Sequence, residues 1–393
     1  MRINLTMAAS TRAAPLRPQS RYRTLQPLGW LRRLRQWVRV GLLCLLGLAG
    51  ALLLGGCADV KYTLHLDPDY RNNAPQKYWP AAPEQARYAD VGQLLGQDNL
   101  VSEGATQRNI GVKMFHWLVG LFDGSEEKIT LKRPQGGVVD AQGRVLVTDI
   151  SNHAVFVFDP AGGKLQVWEM AQETRRFVTP VGIAVGADGQ ILVADAELGQ
   201  VFRLDREGKP LGSFGRGLLN RPTGLARDAV LGRIYVADTH AHDIKVFDDA
   251  GVWLQTIARR GEDEDGLNFP THLAFADGRL LVADSMNARI QIFDAEGRFL
   301  QTLGQRGLNK GNLTRPKGVT VDSSGNIYVV ESFFDTLLVF NQGGEFLMPL
   351  GGTGKEVGQF YFPSGLWSDA QGRVYVADMF NGRVVIFPFL GGS

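Results

Sequence analysis

Apolar and polar residues alternate in short runs over the last two thirds of the chain, and these runs recur. An apolar strand ending in an acid reads VLVTD to Asp149, ILVAD to Asp195, IYVAD to Asp238, LLVAD to Asp284, IYVVE to Glu331 and VYVAD to Asp378. About 15 residues before each acid stands Pro-x-Gly, closed by Gly136, Gly182, Gly224, Gly318 and Gly365 in five copies. The fourth copy reads Pro270-Thr271-His272 instead. A further apolar run follows each acid: VFVFD, VFRLD, IKVFD, IQIFD, LLVFN and VVIFP. Copies succeed one another every 42–48 residues, a period that marks a repeat architecture.

Each copy predicts four strands. The first follows Pro-x-Gly, the second ends at the acid, the third is the VF run, and a fourth resembles FLQTLG. Val, Ile, Leu and Phe dominate, as a pleated, half-buried surface favours. Turns such as AQGR and DAEG carry a Gly that supplies positive φ without steric cost. Four strands in such a period make a propeller blade, so six copies predict an all-β, six-bladed β-propeller over residues 134–393. The sixth copy stops after its third strand near Leu390, and the ring closes only with an outer strand from the N-terminal side. Arg87–Gly96 reads like FLQTLG and is the preferred candidate, with Phe115–Phe122 as the other. Residues 57–86, polar and Pro-containing, are expected to be a tether. Residues 87–133 then hold the closing strand and an insertion, with a short amphipathic helix around Ile110–Leu121.

The repeat resembles the NHL family, whose pattern runs Pro-x-Gly-apolar, Asp-x-x-Gly, apolar-Val-Ala-Asp, then Asn-x-Arg-Ile/Val-apolar-Val-Phe. The fourth copy (Asp284, Asn287, Arg289, Ile290) and the sixth (Asp378, Asn381, Arg383, Val384) match it best. The resemblance spans residues 130–390 and implies the same six-bladed ring.

The N-terminus changes the picture. Arg32, Arg33, Arg35 and Arg39 precede an apolar run from Val40 to Leu54 and then Gly55-Gly56-Cys57, the order of an export signal. Leu54-Gly55-Gly56-Cys57 resembles the bacterial lipobox. That resemblance implies a signal peptide over 1–56, lipidation at Cys57 and a membrane anchor; the alternative is an uncleaved membrane helix. Ala58 after the Cys, by resemblance to Gram-negative lipoproteins, implies the outer membrane, facing the periplasm. Residues 1–56 hold nine of the 42 basic residues and no acid, leaving 33 basic against 40 acidic residues, a net of −7. Such a surface lacks the basic face that nucleic acid needs, so nucleic-acid binding is excluded. Cys44 and Cys57 are the only cysteines, so the exported part carries no disulfide, thiolate metal site or Cys nucleophile.

Candidate chemistry sits in the loops after each acid. Those of blades four to six carry Met286, Phe333, Phe334, Met379 and Phe380, and the loop leading into blade six adds Phe360, Tyr361 and Phe362. So much large apolar surface on loops suits a partner interface, with Phe333 and Phe380 the best candidates for exposure. The competing reading tucks several of them between blades. Blades one to three are polar there, with His153, Glu197, His240 and His242. The acids themselves are expected to accept hydrogen bonds from the following loops rather than to catalyse. His272, in place of a Gly, is expected at the channel mouth.

Family relatives frame the alternatives. The amidating lyases that resemble this chain in fold hold zinc with three His, and only His272, with His240, occupies comparable ground. Gluconolactonase-like propellers use Glu and Asn ligands, for which Glu197, Asn152 and Asn287 are the counterparts here. TRIM-type NHL proteins work beside a RING domain, whose cysteines this chain lacks. The expectation is a non-enzymatic, envelope-anchored scaffold for a protein or peptide, with no cofactor. A metal-assisted lyase or hydrolase with a divalent metal at His240, His242 and His272 is the alternative, and a sensor of a small ligand or glycan the third reading.

Overall fold

The computed structural model describes residues 37, 39, 62–65, 76–90, 92–102 and 128–391. Cys57, the expected signal apart from Trp37 and Arg39, the candidate strand Phe115–Phe122 and the expected helix around Ile110–Leu121 lie outside these residues. Among the described residues no helix is long and apolar enough to cross a membrane.

Six four-stranded antiparallel sheets form the blades of an all-β propeller. Blade one runs Pro134–Val139, Val145–Asp149, Ala154–Asp159 and Lys164–Trp168 from the axis outward. Blades two to five repeat it, with innermost strands Pro180–Val185, Pro222–Asp228, Pro270–Ala276 and Pro316–Val321. Blade six takes Pro363–Ser368, Arg373–Asp378 and Arg383–Pro388 from the C-terminus and Gly92–Leu94 from the N-terminal side. The closing register pairs Val384 with Leu94 and Ile386 with Gly92, and Leu390 N–H donates to Arg87 O at 2.8 Å. The ring is therefore zipped by the segment whose pattern mimicked a fourth strand.

The core lies between blades. One buried apolar cluster fills each junction, so every blade uses both faces. That is why second and third strands read as continuous apolar runs instead of strict alternation. Leu94 is fully buried in the cluster joining blades six and one, with Trp367 and Tyr375. The turns follow their sequence: Asp140 accepts from Gln142 N–H and Arg144 N–H at 2.9 Å, and Gly143 takes φ 77°.

Two stretches of the expected tether are instead paired strands. Tyr62–Leu64 pairs with Leu100–Ser102, and Tyr78–Trp79 pairs with Tyr88–Ala89. In the second pair the rings of Trp79 and Tyr88 explain the difference, since packing such rings is worth more than chain freedom. Trp79 packs edge-on against Phe387 at 5.4 Å. Buried Tyr88 meets Tyr328 Oη at 3.1 Å, and burial pushes the Tyr88 phenol up to about 12.

Candidate functional site

The register defines a functional face. In every blade the Pro of Pro-x-Gly lies opposite the acid that ends the second strand, as in Pro134 with Asp149 and Pro270 with Asp284. The starts of the inner strands and the loops after the acids therefore share one end of the ring.

The acids build that end. All six are fully buried. Asp195 accepts from Val178 N–H, Thr179 N–H, Glu197 N–H and Leu198 N–H at 2.7–3.1 Å. Asp149 holds Lys132, Arg133, Ser151 and Asn152 in the same way. These two carboxylates thus tie the loop that follows them to the loop that leads into their own blade, a wider role than the following loop alone, whereas the Asp238 carboxylate takes, among the described residues, only Asn220 and Arg221 N–H of the incoming loop. In blades four and six Arg289 and Arg383 add their guanidinium Nε at 2.8 and 2.7 Å. Burial nevertheless raises Asp284 and Asp378 above the usual carboxylate range.

Four residues after each acid the backbone turns left-handed: His153, Gly199, His242, Ala288, Asp335 and Gly382 have φ of 52–61°. His153 and His242 occupy this loop position because His tolerates that region better than most side chains. His242 is buried, its Nδ1 accepts from Phe269 N–H at 3.2 Å, and its ring packs on Phe269 at 4.5 Å. Burial first, then Arg260 and His240, lowers its pKa. His240 meets the same ring at 6.0 Å. His272 stands apart in the channel, and among the described residues no three His, Cys, Asp or Glu side chains group to hold a metal. The other named polar residues serve the loops. Asn152 and Asn287 donate to Thr130 O and Gly261 O, and Glu197 faces Arg221 at 3.8 Å.

The apolar candidates divide. Met286, Phe333, Phe334, Tyr361 and Phe380 are exposed. Phe333 packs edge-on to Phe334 at 5.0 Å, Tyr361 and Phe362 meet Phe380 at 5.5 and 5.3 Å, and Arg133 lies over the Phe380 ring at 5.6 Å. Phe362 N–H donates to Asp335 Oδ1 at 2.7 Å, joining the blade-five and blade-six loops. Met379 is only partly exposed, and its sulfur accepts from Gln135 Nε2 at 2.9 Å. Phe360 is core, fully buried against Phe387 at 5.9 Å.

Sequence reasoning missed the channel lining. The middle residues of the five Pro-x-Gly motifs and of Pro270-Thr271-His272 (Gln135, Val181, Thr223, Thr271, Lys317, Ser364) all line a cavity of about 240 Å³ at the mouth. The signal was present, one residue per repeat at a fixed offset. The glycines beside them are required by packing, as a Cβ on Gly182 would lie 2.1 Å from Thr223 O and one on Gly365 1.7 Å from Gln135 O. His272 takes the Gly position and faces the channel. It lines both the mouth cavity and a second cavity of about 250 Å³ toward the opposite end. Deep in the ring, its imidazole is pushed by burial down to about 4.

Comparisons agree with this architecture. A family model described as a 6-bladed beta-propeller matches residues 262–347, and one for the NHL repeat matches residues 219–247. A search of curated proteins finds no significant match. Among solved structures, the chain is similar to a protein of unknown function from Bacteroides thetaiotaomicron VPI-5482, with 15% identity over 66% of this chain and 70% of that one, at a TM-score of 0.52. It is also similar to a gluconolactonase from Xanthomonas campestris, with 18% identity over 66% of this chain and 86% of that one, at 0.51. A streptogramin B lyase aligns with 15% identity over 66% and 95%, at 0.50. These likenesses show the fold alone.

Proposed function

We propose that this NHL-repeat propeller is a non-enzymatic binding scaffold that offers its loop face to a protein or peptide, anchored in the cell envelope by lipid at Cys57. The observation that carries the reading is the aromatic surface of blades five and six. Phe333, Tyr361 and Phe380 are 57%, 51% and 47% exposed, although each contacts another ring. Aromatic rings held rigid on scaffolded loops supply contact area at low entropic cost, which is how interface anchors work. Arg133 over Phe380 adds a cation at the rim, suited to an acidic or carboxylate-bearing partner. The lipobox-like sequence and the absence of cysteine after Cys57 support export, to the outer membrane facing the periplasm.

The alternative, a metal-assisted lyase or hydrolase, needs converging ligands, and the three candidate histidines are not grouped. The lyase and gluconolactonase folds named above are too distant in sequence to carry their chemistry here.

Capture from an envelope extract tests the proposal, with wild type beside a Phe333→Ser, Phe380→Ser double variant of unchanged melting temperature. A partner retained by wild type and lost by the variant is the expected result. Equal capture by both, or none by either, rejects the aromatic face.

A further inference from the structure

The channel mouth carries an imbalance of hydrogen-bond donors. Thr239 Oγ1 donates to Pro270 O at 2.7 Å, and a hydroxyl has one hydrogen. In its 2.6 Å contact with Thr223, therefore, Thr223 is the donor. Ser285 likewise donates to Pro316 O, so the Thr271 proton goes to Ser285 or to Lys317 O. Ser364 donates to Pro134 O at 2.9 Å. These bonds stitch neighbouring blades together, and they leave the hydroxyls of Thr223, Thr271 and Ser364 with lone pairs but no proton for the cavity.

Two groups on adjacent blades keep theirs. His272 Nδ1 accepts from Val319 N–H at 3.4 Å, which places the proton of the neutral ring on Nε2. Lys317 lines the same cavity. Burial first, and then nearby Arg315, lowers its pKa, and no carboxylate among the described residues acts on it. Arg221, which also lines the mouth, is balanced by Glu197 at 3.8 Å. A largely buried ammonium without a counter-charge is costly. An anion in the cavity would relieve that cost, and the donors left for it are those of Lys317 and His272.

We propose that the channel mouth binds a small, singly charged carboxylate through the Lys317 ammonium and the His272 Nε2–H. One buried positive charge and one neutral donor match the two oxygens of a monoanion, whereas a phosphate dianion would leave a charge uncompensated. The cavity of about 240 Å³ limits the ligand to a compact acid or the terminal carboxylate of a chain. This site uses neither Phe333 nor Phe380, so it stands or falls separately from the aromatic face.

The test follows the His272 imidazole signal by NMR in the purified full chain, assigned by its loss in His272→Gln. Acetate, N-acetylglycine, N-acetylglycinamide and inorganic phosphate are titrated at constant ionic strength. Saturable shifts with a carboxylate and none with the neutral amide are expected. Affinity should be at least about tenfold weaker in Lys317→Met, a change that removes a buried charge and so keeps the fold. Lys317→Arg, which retains a cation, should keep measurable binding. No saturation with either carboxylate, equal affinity in Lys317→Met, or saturation by phosphate alone would each overturn the proposal.

Discussion

Replacing Asp195 by Asn keeps the size and shape of the side chain and removes one acceptor oxygen. In the native loop Oδ1 and Oδ2 together serve the N–H groups of Val178, Thr179, Glu197 and Leu198, and no acceptor faces either oxygen. An Asn amide can turn its carbonyl to one pair only. Its NH2 then points at two N–H donors, with nothing to receive its own hydrogens. Charge-assisted bonds contribute about 1.5–3 kcal/mol each, and an orphaned buried donor costs about 1–3 kcal/mol. Losing two such bonds gives about 4 kcal/mol, or roughly 8 °C in melting temperature for a domain of this size. Asp195→Ala, which orphans all four donors at a fully buried position, should lose more than Asp195→Asn. Circular dichroism melts of wild type and both variants measure the loss, and hydrogen exchange at the four amides locates it. If Asp195→Asn melts within about 1 °C of wild type with unchanged exchange, the acid does not hold the loops by charge-assisted acceptance and the argument for all six blades fails.

Other predictions follow from the same structure. Leu94→Ala, at a fully buried position in the closing strand, should cost about 3 kcal/mol, and Leu94→Asp should leave the ring open, seen as protease cleavage ahead of blade one. His272 is held near 4 against an ordinary value of 6.5, so the unfolded chain binds the extra proton. Its stabilising contribution is whole above pH 6.5 and gone below about pH 4. Wild type should therefore lose about 3 kcal/mol more than His272→Gln between pH 7 and pH 4, and parallel stability curves would reject the shift. Phe333→Ser with Phe380→Ser should change stability by less than about 1 kcal/mol, since both rings are about half exposed; a larger loss in a thermal melt would make them structural.

The sequence by itself determined the ring. A period of six matching acids and Pro-x-Gly motifs was enough for the blade count, and a truncated last copy required a borrowed strand, whose pattern named Arg87–Gly96. These features are legible because strand pairing is local and each repeat restates the same pattern. The signal-like order of basic residues, apolar run and Cys57 is likewise a linear feature, and apart from Trp37 and Arg39 it lies outside the described residues. What only the tertiary structure decided concerns residues that meet across blades. The Asp195 carboxylate holds the incoming loop as well as the following one, a link 16 or 17 residues back in the chain. Phe360 and Phe362 are neighbours but one in sequence, yet one is core and the other touches the exposed Phe380 ring. Tyr62 and Trp79 looked like tether residues because the partners that order them, Ser102 and Phe387, are distant in the chain. The channel mouth exists only after closure, when one side chain from each motif reaches the axis. Lys317 is an ordinary surface-type residue in the sequence, and it becomes a largely buried charge because it lines the channel mouth that all six blades enclose.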